Sequence, residues 1–123
     1  MSDSLAALQD EVRAFVKARD WGRYHSPRNL AMALSVEANE LLELYLWSAD
    51  EGPQPLHPAR VPRVADEAAD VLMCLLNLAD QADIDLAAAL RDKLARAEKK
   101  YPADRVRGRA LKYDEYDEWG EEG

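Results

Sequence analysis

Cysteine occurs once in this chain of 123 residues, at Cys74, so no intrachain disulfide can form and a cysteine zinc cluster is excluded. Histidine occurs twice, at His25 and His57, each in a loop near a proline, and neither reads as a metal ligand. Aromatic residues make up only 7% of the chain against 48% hydrophobic and 33% charged, a balance that suits a helical protein. No apolar run approaches the roughly 20 residues that span a bilayer. The opening Met1-Ser2-Asp3-Ser4 lacks the charged and apolar regions of a signal peptide, so the expectation is a cytoplasmic chain with no membrane partner. Basic residues form no sustained stripe before position 105, and the net charge is −8. A nucleic acid polymer is therefore not an expected partner, because phosphate-backbone binding requires clustered Lys and Arg. Strand-like alternation and internal repeats are absent too, which leaves an all-α fold in a single domain.

Four helices are legible. Leu5, Leu8, Val12, Phe15 and Val16 give a helical period from about Ser4 to Arg19, followed by a short loop over Asp20-Trp21-Gly22-Arg23-Tyr24-His25. Ser26-Pro27 is a helix start, with a capping hydroxyl and proline at the first helical position, and this second helix is expected to run to about Ala49. It is apolar on nearly all sides, with Met32 and Val36 opposite a leucine stripe, which predicts burial on two faces, in a bundle or between subunits. Residues 50 to 62 carry four prolines and read as a loop. A third helix is expected from about Arg63 to Ala82, then a tight Asp83-Ile84-Asp85 connection in which Asp85 caps a fourth helix, from about Leu86 to Lys100, stopped near Pro102. The expected organisation is a helical domain over 1–102 and a tail over 103–123. The tail is basic through Arg105, Arg107, Arg109 and Lys112, then acidic from Asp114 to Glu122.

Two acidic pairs stand out, Glu37-Ala-Asn-Glu40 and Glu67-Ala-Ala-Asp70. An i, i+3 spacing puts both carboxylates of a pair on one helix face. At about 100° per residue, Leu30, Leu34 and Leu41 form one apolar stripe, and Glu37 falls inside it. On the third helix Val64, Ala68, Val71, Leu75 and Leu78 make the stripe; Glu67 sits on its edge, with Asp70 beside it. Acids placed on an apolar stripe need a partner, since an ionised carboxylate buried alone costs several kcal/mol. Four carboxylates between two helices call for a hard cation with oxygen ligands and an affinity for phosphates, Mg²⁺ first and Mn²⁺ second. A solvated acidic surface is the competing reading.

The face carrying Glu67 and Asp70 continues through Cys74, Asn77 and Gln81. Asn77 either donates to a phosphate oxygen or base edge, or packs; Cys74 reads as a small hydrophobe. Lys93, on the fourth helix between Leu86, Leu90 and Ala97, either snorkels or faces a phosphate. Trp47 extends the carboxylate face, where an indole stacks on a base or packs in the core.

The acidic pairs, together with Arg19-Asp20-Trp21, His25-Ser26-Pro27-Arg28-Asn29-Leu30, Trp47, Lys93 with Lys100-Tyr101-Pro102, and Arg107-Gly108 before Lys112-Tyr113, resemble the all-α nucleoside triphosphate pyrophosphatases (MazG-like proteins), nearest their dCTP pyrophosphatase branch. The resemblance covers roughly residues 5 to 113. It implies a four-helix bundle assembled as a homodimer or homotetramer. It also implies Mg²⁺-dependent cleavage of a nucleoside triphosphate, dCTP or a related pyrimidine deoxynucleotide, to the monophosphate and pyrophosphate. Glu37, Glu40, Glu67 and Asp70 would be the metal ligands, with Glu37 or Glu40 accepting the proton of the attacking water. Trp21 and Trp47 would flank the base, while Asn77, Lys93, Tyr101 and Lys112 complete the substrate-binding set. The branch carries a histidine where this chain has Val12, a tyrosine at Cys74 and often an asparagine at Ala97, so the chemistry is better marked than the base. Two other readings compete: a non-catalytic helical interaction module, and a di-metal oxidase, which would want Glu-x-x-His pairs that neither acidic motif supplies.

Overall fold

A computed structural model of the chain describes residues 4–46 and 58–110, and every described element is helical. They are α1 (Leu5–Ala18), α2 (Pro27–Glu43), α3 (Val61–Gln81), α4 (Leu86–Lys100) and the four-residue α5 (Ala103–Val106). Two short 3₁₀ turns precede α2 and α3, at Trp21–Tyr24 and Pro58–Arg60. The chain divides into two compact units, Met1–Ile84 and Asp85–Gly123. None of the described helices is long and apolar enough to cross a membrane.

Side-chain caps start three of the helices. Ser4 Oγ accepts from the Ala7 N–H at 3.2 Å, Ser26 Oγ from the Asn29 N–H at 3.1 Å, and Asp85 Oδ1 from the Ala88 N–H at 3.0 Å. The end of α3 is a Schellman turn. The Ile84 N–H reaches Ala79 O at 2.9 Å, and Asp83 takes the left-handed conformation, φ 55°, that glycine usually fills there.

In the first unit α2 and α3 make the most extensive helix pair, and α1 packs on α3. Arg13 fastens α1 to α3: its guanidinium meets Asp80 at 2.6–2.7 Å and, within α1, Asp10 at 2.7 Å. The buried apolar side chains among the described residues are Leu30 on α2 and Leu76 and Ala79 on α3. Large apolar side chains stay in water elsewhere, including Met32 (58% exposed) and Val36 (56%) one turn apart on α2. Leu90 and Leu94 are likewise exposed on α4, as is Lys93, while Leu86 and Ala97 on the same helix are half-buried.

Three boundaries differ from the sequence reading. Asp20 enters the left-handed region at φ 51°, and residues 21 to 24 coil into a 3₁₀ turn instead of an open loop. The helix α2 closes at Glu43 and runs into a turn over Leu44–Leu46, short of the expected Ala49. The expected loop ends earlier than Pro62, because proline is tolerated in the first turn of a helix and α3 begins at Val61.

Candidate metal centre

Both acidic pairs fall where the helix pairing brings them together. Glu37 and Glu40 lie in the second half of α2, Glu67 and Asp70 in the first half of α3. Carboxylate oxygens of Glu37, Glu67 and Asp70 lie within 4.8 Å of one another. The diameter of a Mg²⁺ or Ca²⁺ coordination sphere is about 4–5 Å, so three such oxygens fit around one ion. Glu40, the fourth expected ligand, lies outside that trio but close enough to act on it, raising the pKa of both Glu37 and Glu67.

The electrostatics show the strain of this arrangement. Glu37 has its pKa raised above the ordinary glutamate range, first by hydrogen bonding with the Glu40 side chain, then by burial and by the charges of Glu40, Asp70 and Glu67. Glu67 is also raised, first by burial and then by the charges of Glu40 and Asp70. Glu37 Oε2 and Glu67 Oε2 are buried with no hydrogen-bond partner. Buried acceptors normally find a donor. Two that lack one, inside a cluster of like charge, fit a divalent cation.

A pH dependence follows. With folded pKa values above the unfolded value of about 4.3, the protonated cluster stabilises the fold fully below that value, and the benefit is lost as pH rises through the raised folded values. In a chelator the melting temperature is expected to fall as pH rises above the ordinary glutamate value of about 4.3. Saturating Mg²⁺ is expected to restore it by about 5 °C or more at pH 7.5, through binding to the folded state alone. A melting curve indifferent to both pH and Mg²⁺ would remove the cluster as a cation site.

Cys74, read as a packing residue, lies next to the cluster: burial pushes its thiol pKa up, and the charges of Glu37 and Asp70 push it further. The signal was available, since Cys74 stands four residues after Asp70 on one face of α3. Asn77 is half-buried farther along the same helix. Trp21 is 45% exposed in its 3₁₀ turn. Lys93 and Tyr101 belong to the second unit, where Tyr101 closes α4 and the Lys100 ammonium lies 5.7 Å from its ring centre. Trp47 and Lys112 lie outside the described residues.

The model of the MazG-like family matches residues 32–116. The chain is 40% identical over 101 residues to dCTP pyrophosphatase 1 of Bos taurus, an alignment that takes in 80% of this chain and 60% of that protein. The corresponding Homo sapiens protein is 39% identical over 103 residues, with 82% and 61% covered. The chain thus spans about 60% of the length of these curated relatives. A crystal structure of a pyrophosphatase from Archaeoglobus fulgidus shares the fold at a TM-score of 0.69 and 34% identity, over 83% of this chain and 95% of that one.

Proposed function

The chain belongs to the MazG-like family, and from that premise we propose that it hydrolyses the α–β phosphoanhydride of a nucleoside triphosphate to give the monophosphate and pyrophosphate. The observation that carries this reading is the convergence of Glu37, Glu67 and Asp70 around two unpartnered buried oxygens, with Glu40 close by.

Glu37, Glu40, Glu67 and Asp70 hold a divalent cation, Mg²⁺ or Mn²⁺. Such an ion neutralises phosphate charge and lowers the pKa of a bound water. Glu37 or Glu40 accepts the proton of the attacking water. The water oxygen ends on the α-phosphate, and the β- and γ-phosphates leave together as pyrophosphate. Helical backbone fixes the position of each acid, so little reorganisation is needed when charge develops. Trp21 offers its indole to the base.

The substrate class is a pyrimidine deoxynucleoside triphosphate, with dCTP the first to test. Val12 on α1 is half-buried and apolar, and Cys74 beside the acids is a poor hydrogen-bonding group. A pocket that reads its substrate without strong hydrogen bonds discriminates weakly, by about 1–3 kcal/mol per small group. With Mg²⁺, dCTP is expected to yield dCMP and pyrophosphate. Across the four common deoxynucleotides and dUTP, kcat/KM is expected to span less than about a thousandfold, on the order of 4 kcal/mol. Release of no pyrophosphate from any of the five would overturn the activity; a steeper preference would overturn only the account of the pocket.

The exposed apolar side chains of α2 support assembly as a homodimer or homotetramer.

A further inference from the structure

The Trp21 indole is not left to itself. Its ring centre lies 5.7 Å from that of Phe15, with the planes at 74°, an edge-to-face pair. Arg19 covers Phe15 in turn. Its guanidinium carbon is 3.7 Å from the Phe15 ring centre, and its NH1 donates to Phe15 O at 3.0 Å. The segment that follows is also pinned. Asp20 is left-handed and paired with Arg23, and the Asn29 side-chain amide donates to Tyr24 O at 3.1 Å, tying the 3₁₀ turn to the start of α2. Yet both rings keep much of their surface in water, 40% for Phe15 and 45% for Trp21, and there is open space beside Gly22. Both rings therefore keep a face open to solvent in the single chain. Here an aromatic surface is held in a fixed orientation while staying accessible, which is what stacking on a planar ligand requires.

We propose that Phe15, clamped by Arg19, is a positioning residue that sets the orientation of the Trp21 indole for the nucleobase. The proposal rests on the reading of Trp21 as a base-contacting residue. Phe15 touches no substrate; it fixes the rotamer of the ring that does, so that the ordering cost is met before the nucleotide arrives.

The test separates the two layers. Trp21→Ala first asks whether the indole binds the base: it should raise KM for dCTP while leaving KM for inorganic tripolyphosphate, which has no base, unchanged. Phe15→Leu should then raise KM for dCTP by about three- to tenfold, the range an edge-to-face pair contributes, with kcat within twofold. Phe15→Tyr, which keeps a ring, should restore the wild-type value, and Phe15→Met replaces Phe15→Leu should the leucine variant fail to fold. Incorporation of 5-fluorotryptophan adds a readout free of activity. The ¹⁹F line of Trp21, assigned by its loss in Trp21→Phe, should move toward its unfolded position in Phe15→Leu and return in Phe15→Tyr. If Trp21→Ala raises KM for dCTP but Phe15→Leu leaves both KM and the ¹⁹F line in place, the positioning role is wrong and the base contact stands. If Trp21→Ala itself changes nothing, the base contact fails and the proposal fails with it.

Discussion

Glu40→Gln is expected to lower pyrophosphate release by about a thousandfold, the upper range for losing one preorganised electrostatic group at a reacting centre, while the metal-free protein melts no lower than wild type. The two effects have opposite sign for one reason. Glu40 lies close to Glu37 and Glu67 and raises the pKa of both. Removing its charge relieves repulsion in the empty cluster, and the amide can donate a hydrogen bond to an oxygen that lacks one. The same change deletes a proposed anionic ligand beside Glu37. Helix content should be unchanged, and Mg²⁺ should no longer raise the melting temperature. A variant that lost activity by unfolding would show lower stability in the chelator, the reverse of what is expected. Wild-type turnover in the presence of excess chelator would end the metal mechanism altogether.

Val36→Asp is expected to break self-association. Met32 and Val36 present adjacent apolar surface on α2, each more than half exposed in the single chain, while buried apolar side chains among the described residues are few. Placing a carboxylate at the centre of such a face inside an assembly strands an unpaired charge out of water. A penalty of about 3 kcal/mol corresponds to more than a hundredfold in dissociation constant. Light scattering at micromolar concentration should give a multiple of 13.8 kDa for wild type and the single-chain mass for the variant. Val36→Thr, of similar size and uncharged, should retain assembly. A wild-type protein that scatters as a monomer would refute the interface.

Three of the helix starts were the most legible part of the fold, because each is written in a residue with one physical job. Ser4, Ser26 and Asp85 each accept from the N–H three residues on, and α4 spans the expected Leu86 to Lys100. Ends were less legible. Nothing in Leu44-Tyr45-Leu46 announces a stop, since all three are compatible with continued helix, and α2 nevertheless closes at Glu43. The 3₁₀ turn at Trp21 escaped because it depends on a single left-handed aspartate, which periodicity does not register. At the site, spacing alone placed each acid on its helix face. What spacing could not supply was pairing between helices: that Glu40 acts on both Glu37 and Glu67, and that the Cys74 thiol feels Glu37 across the gap. The Phe15–Trp21 ring pair lay hidden for a related reason. The two residues are six apart, a separation that means nothing until the chain turns between them.

Because both acidic pairs are carried by helices and not by loops, the distance between α2 and α3 sets how far apart their backbone positions stand in the proposed site. Mg²⁺ holds its oxygens at about 2.0–2.1 Å and Ca²⁺ at about 2.3–2.6 Å. Exchanging one for the other therefore asks two packed helices to part by a few tenths of an ångström on either side of the ion. A close-packed interior resists changes of that size. If the proposed site takes an ion, its radius would be a load on buried side chains such as Leu30, Leu76 and Ala79, which carry no ligand atom. Choice among divalent ions is on this view a matter of mechanical stiffness, set by the core that holds the helices at their spacing.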